Sequence, residues 1–201
     1  MSLNHIHSAL IAVALMVTPA AAEIIPLSRL SDYLNDLQTA EAEFTQLNSD
    51  GSISTGRLFI KRPGRARFAY DPPEETLVMA GGGQVAIFDA RSNMVEPEQY
   101  PLRRTPLNII LERNVDLARR DMVVGHESDD TTTTVIAQDP KNPEYGRIEL
   151  IFTDAPVELR QWVIVDGAGE RTTVVLGEME TGVSLPASLF SIPTEIEQRR
   201  R

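Results

Sequence analysis

Five basic side chains crowd the stretch around LFIKRPGRARFAYDPP, Leu58 to Pro73: Arg57, Lys61, Arg62, Arg65 and Arg67. Grouped guanidinium and ammonium groups can bind carboxylates or phosphates on a partner. Buried ones must instead satisfy their donors on nearby carbonyls. The stretch lies in two β-like runs of a chain whose formal net charge is −10, so the cluster stands out against its background. Strand alternation separates it. Leu58, Ile60 and Arg62 share one parity, and Ala66, Phe68 and Tyr70 share a face after the Arg62-Pro63-Gly64 turn.

Other chemistry is sparse. Histidines lie at 5, 7 and 126. His126, in VVGHESDD, reads as an exposed turn residue, and no G-x-S-x-G elbow supplies it with a nucleophile. Glu127, Asp129 and Asp130 lack an EF-hand pattern and read as a solvated turn. Gly81-Gly82-Gly83 has no following Lys-Ser/Thr and reads as a hairpin turn rather than a phosphate loop. The single tryptophan, Trp162, sits in an apolar strand and reads as a core residue. No catalytic residue, metal site or cofactor is expected, although a pair of hydrolytic carboxylates stays open among so many acidic residues. With no cysteine, neither disulfides nor thiolate chemistry contribute.

The elements that would position these residues are mostly strands. AEAEFTQL, GRLFIK, RARFAY, ETLVMA, QVAIFD, NMVEPEQY, MVVGHES, TTTTVIAQ, GRIELIF, ELRQWVIVD and ERTTVVLGEM are short β-like runs separated by chain-reversing residues. They predict an antiparallel, mainly β body. Leu27, Leu30, Leu34 and Leu37 fall on one helical face after Pro26, and PLNIILERNVDL (Pro106 to Leu117) reads as a short apolar helix and loop. Leu77 to Met79, Val85 to Phe88 and Trp162 to Val165 are apolar on both strand faces. Either a two-sheet sandwich or a curved sheet with helices in its mouth would produce that pattern.

At the amino terminus, the apolar run Ser8 to Val17 is too short to span a bilayer. With Ala20-Ala21-Ala22 after it, the run reads as a signal peptide over residues 1–22, leaving one domain over 23–201. An uncleaved anchor is the alternative. An acidic exported chain is a poor candidate to bind nucleic acid or an anionic membrane surface.

Phe44-Thr45-Gln46, Gly56-Arg57-Leu58, Lys61-Arg62-Pro63-Gly64, Phe68, Tyr70, Pro72-Pro73, Thr76-Leu77-Val78 and Val85 to Asp89 follow one another in an order and spacing that resembles the periplasmic outer-membrane lipoprotein carrier family, LolA. The resemblance extends to the Asp166 turn and to Phe190-x-x-Pro193. It implies an incomplete antiparallel β-barrel of about eleven strands, with short α-helices forming a lid over an apolar concave face. It implies a non-enzymatic carrier in the periplasm that takes acyl chains of lipoproteins from an ATP-driven inner-membrane transporter toward an outer-membrane acceptor of unknown identity. The carrier is expected to be a monomer. A carrier of another lipid or glycolipid, and an envelope-stress sensing module on the same fold, remain as alternatives.

Carried onto this sequence, the resemblance implies a lipid-binding cavity formed by Leu30, Leu34, Leu58, Ile60, Ala66, Phe68, Tyr70, Val78, Leu107, Ile110 and Leu111. Arg62 becomes a latch holding the lid, with a snorkelling arginine as the alternative. Arg57, Lys61, Arg65 and Arg67 face outward, either as a docking patch for the transporter or as an ordinary charged sheet face. Ala66 and Phe68 depart from the family's aromatic residue and tryptophan, which implies a cavity with a more aliphatic lining. The terminal Arg199-Arg200-Arg201 reads as a solvated tail.

Overall fold

The computed structural model of the protein describes residues 23–90, 92, 96–119, 121–129 and 131–201. The expected signal peptide lies outside them. Eleven strands form one antiparallel sheet: β1 (Thr39–Leu47), β2 (Ile53–Lys61), β3 (Ala66–Tyr70), β4 (Leu77–Gly81), β5 (Gln84–Phe88), β6 (Glu98–Pro101), β7 (Val123–Ser128), β8 (Thr132–Gln138), β9 (Arg147–Thr153), β10 (Glu158–Val165) and β11 (Arg171–Thr181). Their spatial order is β6-β5-β4-β3-β2-β1-β11-β10-β9-β8-β7. Two meanders are therefore joined where the last strand returns beside the first. The helices are α1 (Leu27–Asp36), α2 (Asn108–Leu111) and α3 (Ile192–Arg199). None of the described helices is long and apolar enough to cross a membrane.

The sheet curls on itself. Phe68 on β3 and Trp162 on β10 meet edge-to-face with ring centroids 6.2 Å apart, although β2, β1 and β11 lie between their strands. A flat sheet would set those strands about 19 Å apart, at about 4.8 Å per step. Register shifts at Ala42/Phe44 and Leu159/Gln161 add the local twist that bends a sheet of this width. Phe44 completes the seam, lying 5.7 Å from Phe68 and 5.1 Å from Tyr70. The result is the mainly β, incomplete barrel that the family resemblance implies, rather than the two-sheet sandwich the residues alone left open.

The barrel stays open between its free edges, β6 and β7. Residues 102–122 run from one edge to the other, so the chain that bridges the gap also supplies half of the lid. Its start folds as a single 3-10 turn, Leu102–Arg104, ahead of α2. The expected strand over 93–100 is seen as β6, and part of that stretch lies outside the described residues.

Apolar residues on both faces of β4 and β5 have a specific cause. Ala80 and Val85 join the concave core, while Leu77, Met79, Ala86 and Phe88 form a second cluster with Ile192 of α3. The C-terminal helix covers the outer face there. The solvated-tail expectation is corrected at this point: Arg199 lies 4.7 Å over the Phe88 ring and pairs with Glu195 at 3.0 Å. Arg200 also pairs with Glu96.

Candidate functional site

The concave face is built by alternation. β2 turns Ser54, Gly56, Leu58 and Ile60 inward, β8 turns in Thr133, Val135 and Ala137, and β9 turns in Ile148, Leu150 and Phe152. Gly56 has no room for a side chain, since a Cβ there would meet the Ala69 carbonyl at 2.3 Å and the Phe44 ring at 2.9 Å. Over this floor lie α1 and the 102–117 segment. All eleven residues expected to line the cavity fall in one apolar body. Leu30, Leu34, Leu58, Ile60, Ala66, Phe68, Leu107, Ile110 and Leu111 are buried in it, and Tyr70 and Val78 pack against it half-buried. The lid side chains pack directly on the concave floor in this body.

Polar side chains tie the two lid pieces together. The Asn35 amide donates from Nδ2 to the Val115 carbonyl at 2.8 Å, and its Oδ1 accepts the Val115 N–H at 2.9 Å. Ser31 Oγ accepts the Leu117 N–H at 2.9 Å while donating back to Leu27. On a helical wheel Ser31 and Asn35 read as solvent-facing, and only the contact with a segment 80 or more residues away explains them. At the entry to α1, Ile25 is 1% exposed, and its N–H donates to Thr133 Oγ1 at 3.1 Å. His126 Nε2 meets the Ile25 carbonyl at 2.9 Å. His126 is thus half-buried in β7 and holds the N-terminal segment, which corrects the exposed-turn expectation.

Arg62 sits where these pieces converge. Its residue exposure is 6%, and its Nη2 donates to the Glu112 carbonyl and to Asn35 Oδ1, the latter at 3.4 Å. Around it, the Arg62 N–H donates to Gln38 at the end of α1, and the Gly64 N–H to Leu111 at the end of α2, both at 2.8 Å. One tight turn therefore holds both halves of the lid. Burial pulls the Arg62 pKa below its ordinary value, partly offset by the Glu112 carboxylate. Nε and Nη1 are buried with no partner among the described residues. A buried unsatisfied donor costs about 1–3 kcal/mol, so the closed lid is held by a side chain that is itself under strain.

The outward row behaves differently. Arg57 pairs with Glu41 at 3.3 Å in the open. Arg67 faces outward as parity requires, but the chain's own C-terminal segment occupies it: Nη1 reaches Glu195 at 3.1 Å and the Leu189 carbonyl at 3.2 Å. Lys61 Nζ donates to the Leu185 carbonyl. Arg65 is half-exposed. Elsewhere, no group of three or more His, Cys, Asp or Glu side chains among the described residues could hold a metal ion. Trp162 is a core residue, and Gly82 and Gly83 turn the β4–β5 hairpin with positive φ. Asp129 organises its turn by accepting the Thr131 and Thr132 N–H groups, which lower its pKa to about 2.

Comparison with known proteins follows this geometry. The chain is 29% identical over 187 residues to the outer-membrane lipoprotein carrier protein of Azotobacter vinelandii, covering 89% of each chain. It is 27% identical over 172 residues to that of Pseudomonas aeruginosa, covering 82% of each. A Desulfovibrio piger crystal structure superposes with a TM-score of 0.51 at 11% identity, covering 83% of this chain and 95% of that one; at that identity it shows the fold alone. The family described as "Outer membrane lipoprotein carrier protein LolA" matches residues 35–193. That span runs from the Asn35 clasp through the Arg62 turn to the start of α3, and the chain belongs to this family.

Proposed function

We propose that this protein carries the acyl chains of lipoproteins between membranes, binding them between the concave sheet and the lid. The family is one of carriers rather than enzymes. The observation that carries the reading is the meeting of eleven residues from α1, β2, β3, β4 and the 107–111 segment in one apolar body. The lid over that body is tied by Asn35, Ser31 and the buried Arg62. On this reading residues 1–22 are removed and the domain over 23–201 works in the periplasm as a monomer. An ATP-driven inner-membrane transporter loads it, and an outer-membrane acceptor unloads it.

Magnitudes support exchange rather than tight storage. Opening the lid uncovers Leu30, Leu34, Ile110 and Leu111, at about 1.5–3 kcal/mol each, or roughly 6–12 kcal/mol together. An acyl chain returns about 0.8 kcal/mol per methylene, so roughly eight to fifteen methylenes balance the opening. The cargo then takes the place of the lid side chains at near-zero net cost and leaves as readily. Arg62 favours the empty closed state through Glu112 and Asn35, and its two orphaned donors keep that preference small.

Purification of the native protein from periplasm followed by mass spectrometry tests the reading. N-terminally acylated lipoproteins are expected to co-purify. A glycolipid-loaded protein would overturn the cargo assignment, and a protein always recovered empty would overturn the carrier reading.

A further inference from the structure

The segment bridging the two free sheet edges carries a charge opposite to the rest of the chain. Residues 102–119 hold Arg103, Arg104, Arg113 and Arg119 against Glu112 and Asp116, a net of +2. The remainder of the −10 chain therefore carries −12. All four arginines are exposed. Arg119 reaches Asp116 at 3.8 Å with 87% of its side chain open to solvent, while Arg103, Arg104 and Arg113 form no ion pair with another described residue. The apolar residues of the same segment, such as Leu102, Ile110 and Leu117, point into the barrel, so the arginines form its outer skin.

Arg103 and Arg119 line one open groove of about 470 Å³ together with Lys141. Glu112, Asp121 and Asp139 share its wall, so the groove itself is balanced in charge and the excess of positive charge lies on the exposed arginines around it. Asp139 is engaged in its own turn, accepting from the Lys141 N–H at 2.8 Å and from Asn142 Nδ2 at 2.9 Å. The exposed large apolar side chains among the described residues, such as Tyr100 and Val124, fall outside 102–119. The patch thus lacks the aromatic and aliphatic anchors that give a protein–protein interface its energy. Dispersed guanidinium groups without an apolar anchor match a dispersed field of phosphates, which their planar forks bind in two-pronged fashion.

We propose that the outer face of residues 102–119 is a docking surface for anionic lipid headgroups, with the exposed Arg103, Arg104, Arg113 and Arg119 meeting the phosphates. The acidic body makes the contact directional. Glu41 stands opposite Glu180 across the β1–β11 ladder, and Glu43 and Glu178 are exposed beside them. Within a Debye length of about 8–10 Å, an anionic surface attracts the lid and repels this far side. The protein therefore approaches lid-first, with the gap between β6 and β7 facing the membrane. The use of this orientation rests on the carrier reading; the contact itself does not.

Flotation of the full mature chain with vesicles tests the proposal, comparing phosphatidylcholine alone with equimolar phosphatidylglycerol and phosphatidylcholine at low ionic strength. Binding to the anionic vesicles alone is expected, and it should fade as salt rises. Each arginine near such a surface is worth about fivefold in partitioning, so Arg103→Gln/Arg104→Gln/Arg113→Gln should lose on the order of 100-fold. Arg113→Gln and Arg57→Gln have the same net charge, and only the first should weaken binding. Equal binding to both vesicles, binding to neither, or equal effects of the two single variants would overturn the proposal. So would capture on immobilised poly-glutamate without vesicle binding, which would give the patch to an acidic protein. Hydrophobic-dye binding to the cavity, measured on the same samples, reports the carrier reading separately.

Discussion

Asn35 grips Val115 with both ends of its amide, donating at 2.8 Å and accepting at 2.9 Å, and the same Oδ1 lies 3.4 Å from Arg62 Nη2. A single side chain thus joins α1, the 102–117 segment and the β2–β3 turn. The two lid pieces, 80 residues apart in the chain at this contact, form one body because of it.

Asn35→Ala should uncouple them. It orphans the N–H and C=O of Val115, itself 3% exposed, at about 2 kcal/mol. Hydrogen exchange should quicken across residues 107–117 while β8 and β9 stay protected. Uniform protection across all of these regions would show that the clasp is not what holds the lid.

Arg62→Leu removes the hold on Glu112 together with two unsatisfied donors. Replacing a poorly satisfied buried charge by an apolar group is close to neutral for global stability, within about 1 kcal/mol. The lid should nevertheless open more readily, and the added apolar surface should slow cargo release. Stopped-flow transfer of a fluorescent acyl chain reads this; unchanged release and unchanged dye binding would remove the latch from the account.

Glu195→Gln should loosen the C-terminal helix. Glu195 faces both Arg67 and Arg199, and its side chain is 13% exposed. Its neutralisation leaves two half-buried guanidinium groups facing each other at a cost of about 2 kcal/mol. Faster exchange confined to α3 and the outer face of β4–β5 is the expected signature, and unaltered protection of α3 would count against the clamp.

Alkaline pH should weaken the fold through Tyr70. Its hydroxyl donates to Gln46 at 2.7 Å, and burial raises its pKa from 10.0 to about 12. The folded state thus keeps a proton that the unfolded chain gives up. The contribution is complete below pH 10.0 and is lost as pH rises toward about 12. Urea midpoints measured across that range should fall, and the fall should be smaller in Tyr70→Phe, where Tyr33, also raised by burial, remains. A flat profile in the unmodified chain would contradict this.

Much of this architecture can be read from the residues. Strict alternation in β2, β8 and β9 gives the strands and their two faces, parity groups Arg62 with Leu58 and Ile60, and the family resemblance turns that face inward. The 3-4-3 leucine spacing in α1 gives a helix and its buried side, and the resemblance makes it part of a lid. What cannot be read is set by contacts distant in sequence. IPTEIEQR has little apolar surface and a proline near its start, so α3 is visible only against Phe88 and Met79. Asn35, Ser31 and His126 have no local pattern that announces their partners. For the same reason the outward arginines look alike in sequence, yet Arg67 is held by α3 and Arg57 is open.

Trp162 offers the most direct test of an acyl chain between sheet and lid. It is the only tryptophan in the chain, 1% exposed, and packs on Phe68 at the concave floor. Titration with a lipopeptide whose acyl chain is brominated should quench its fluorescence saturably, and unbrominated lipopeptide should reverse the quenching by competition. Binding of the same lipopeptide with Trp162 emission unchanged would place the acyl chain elsewhere and contradict the account.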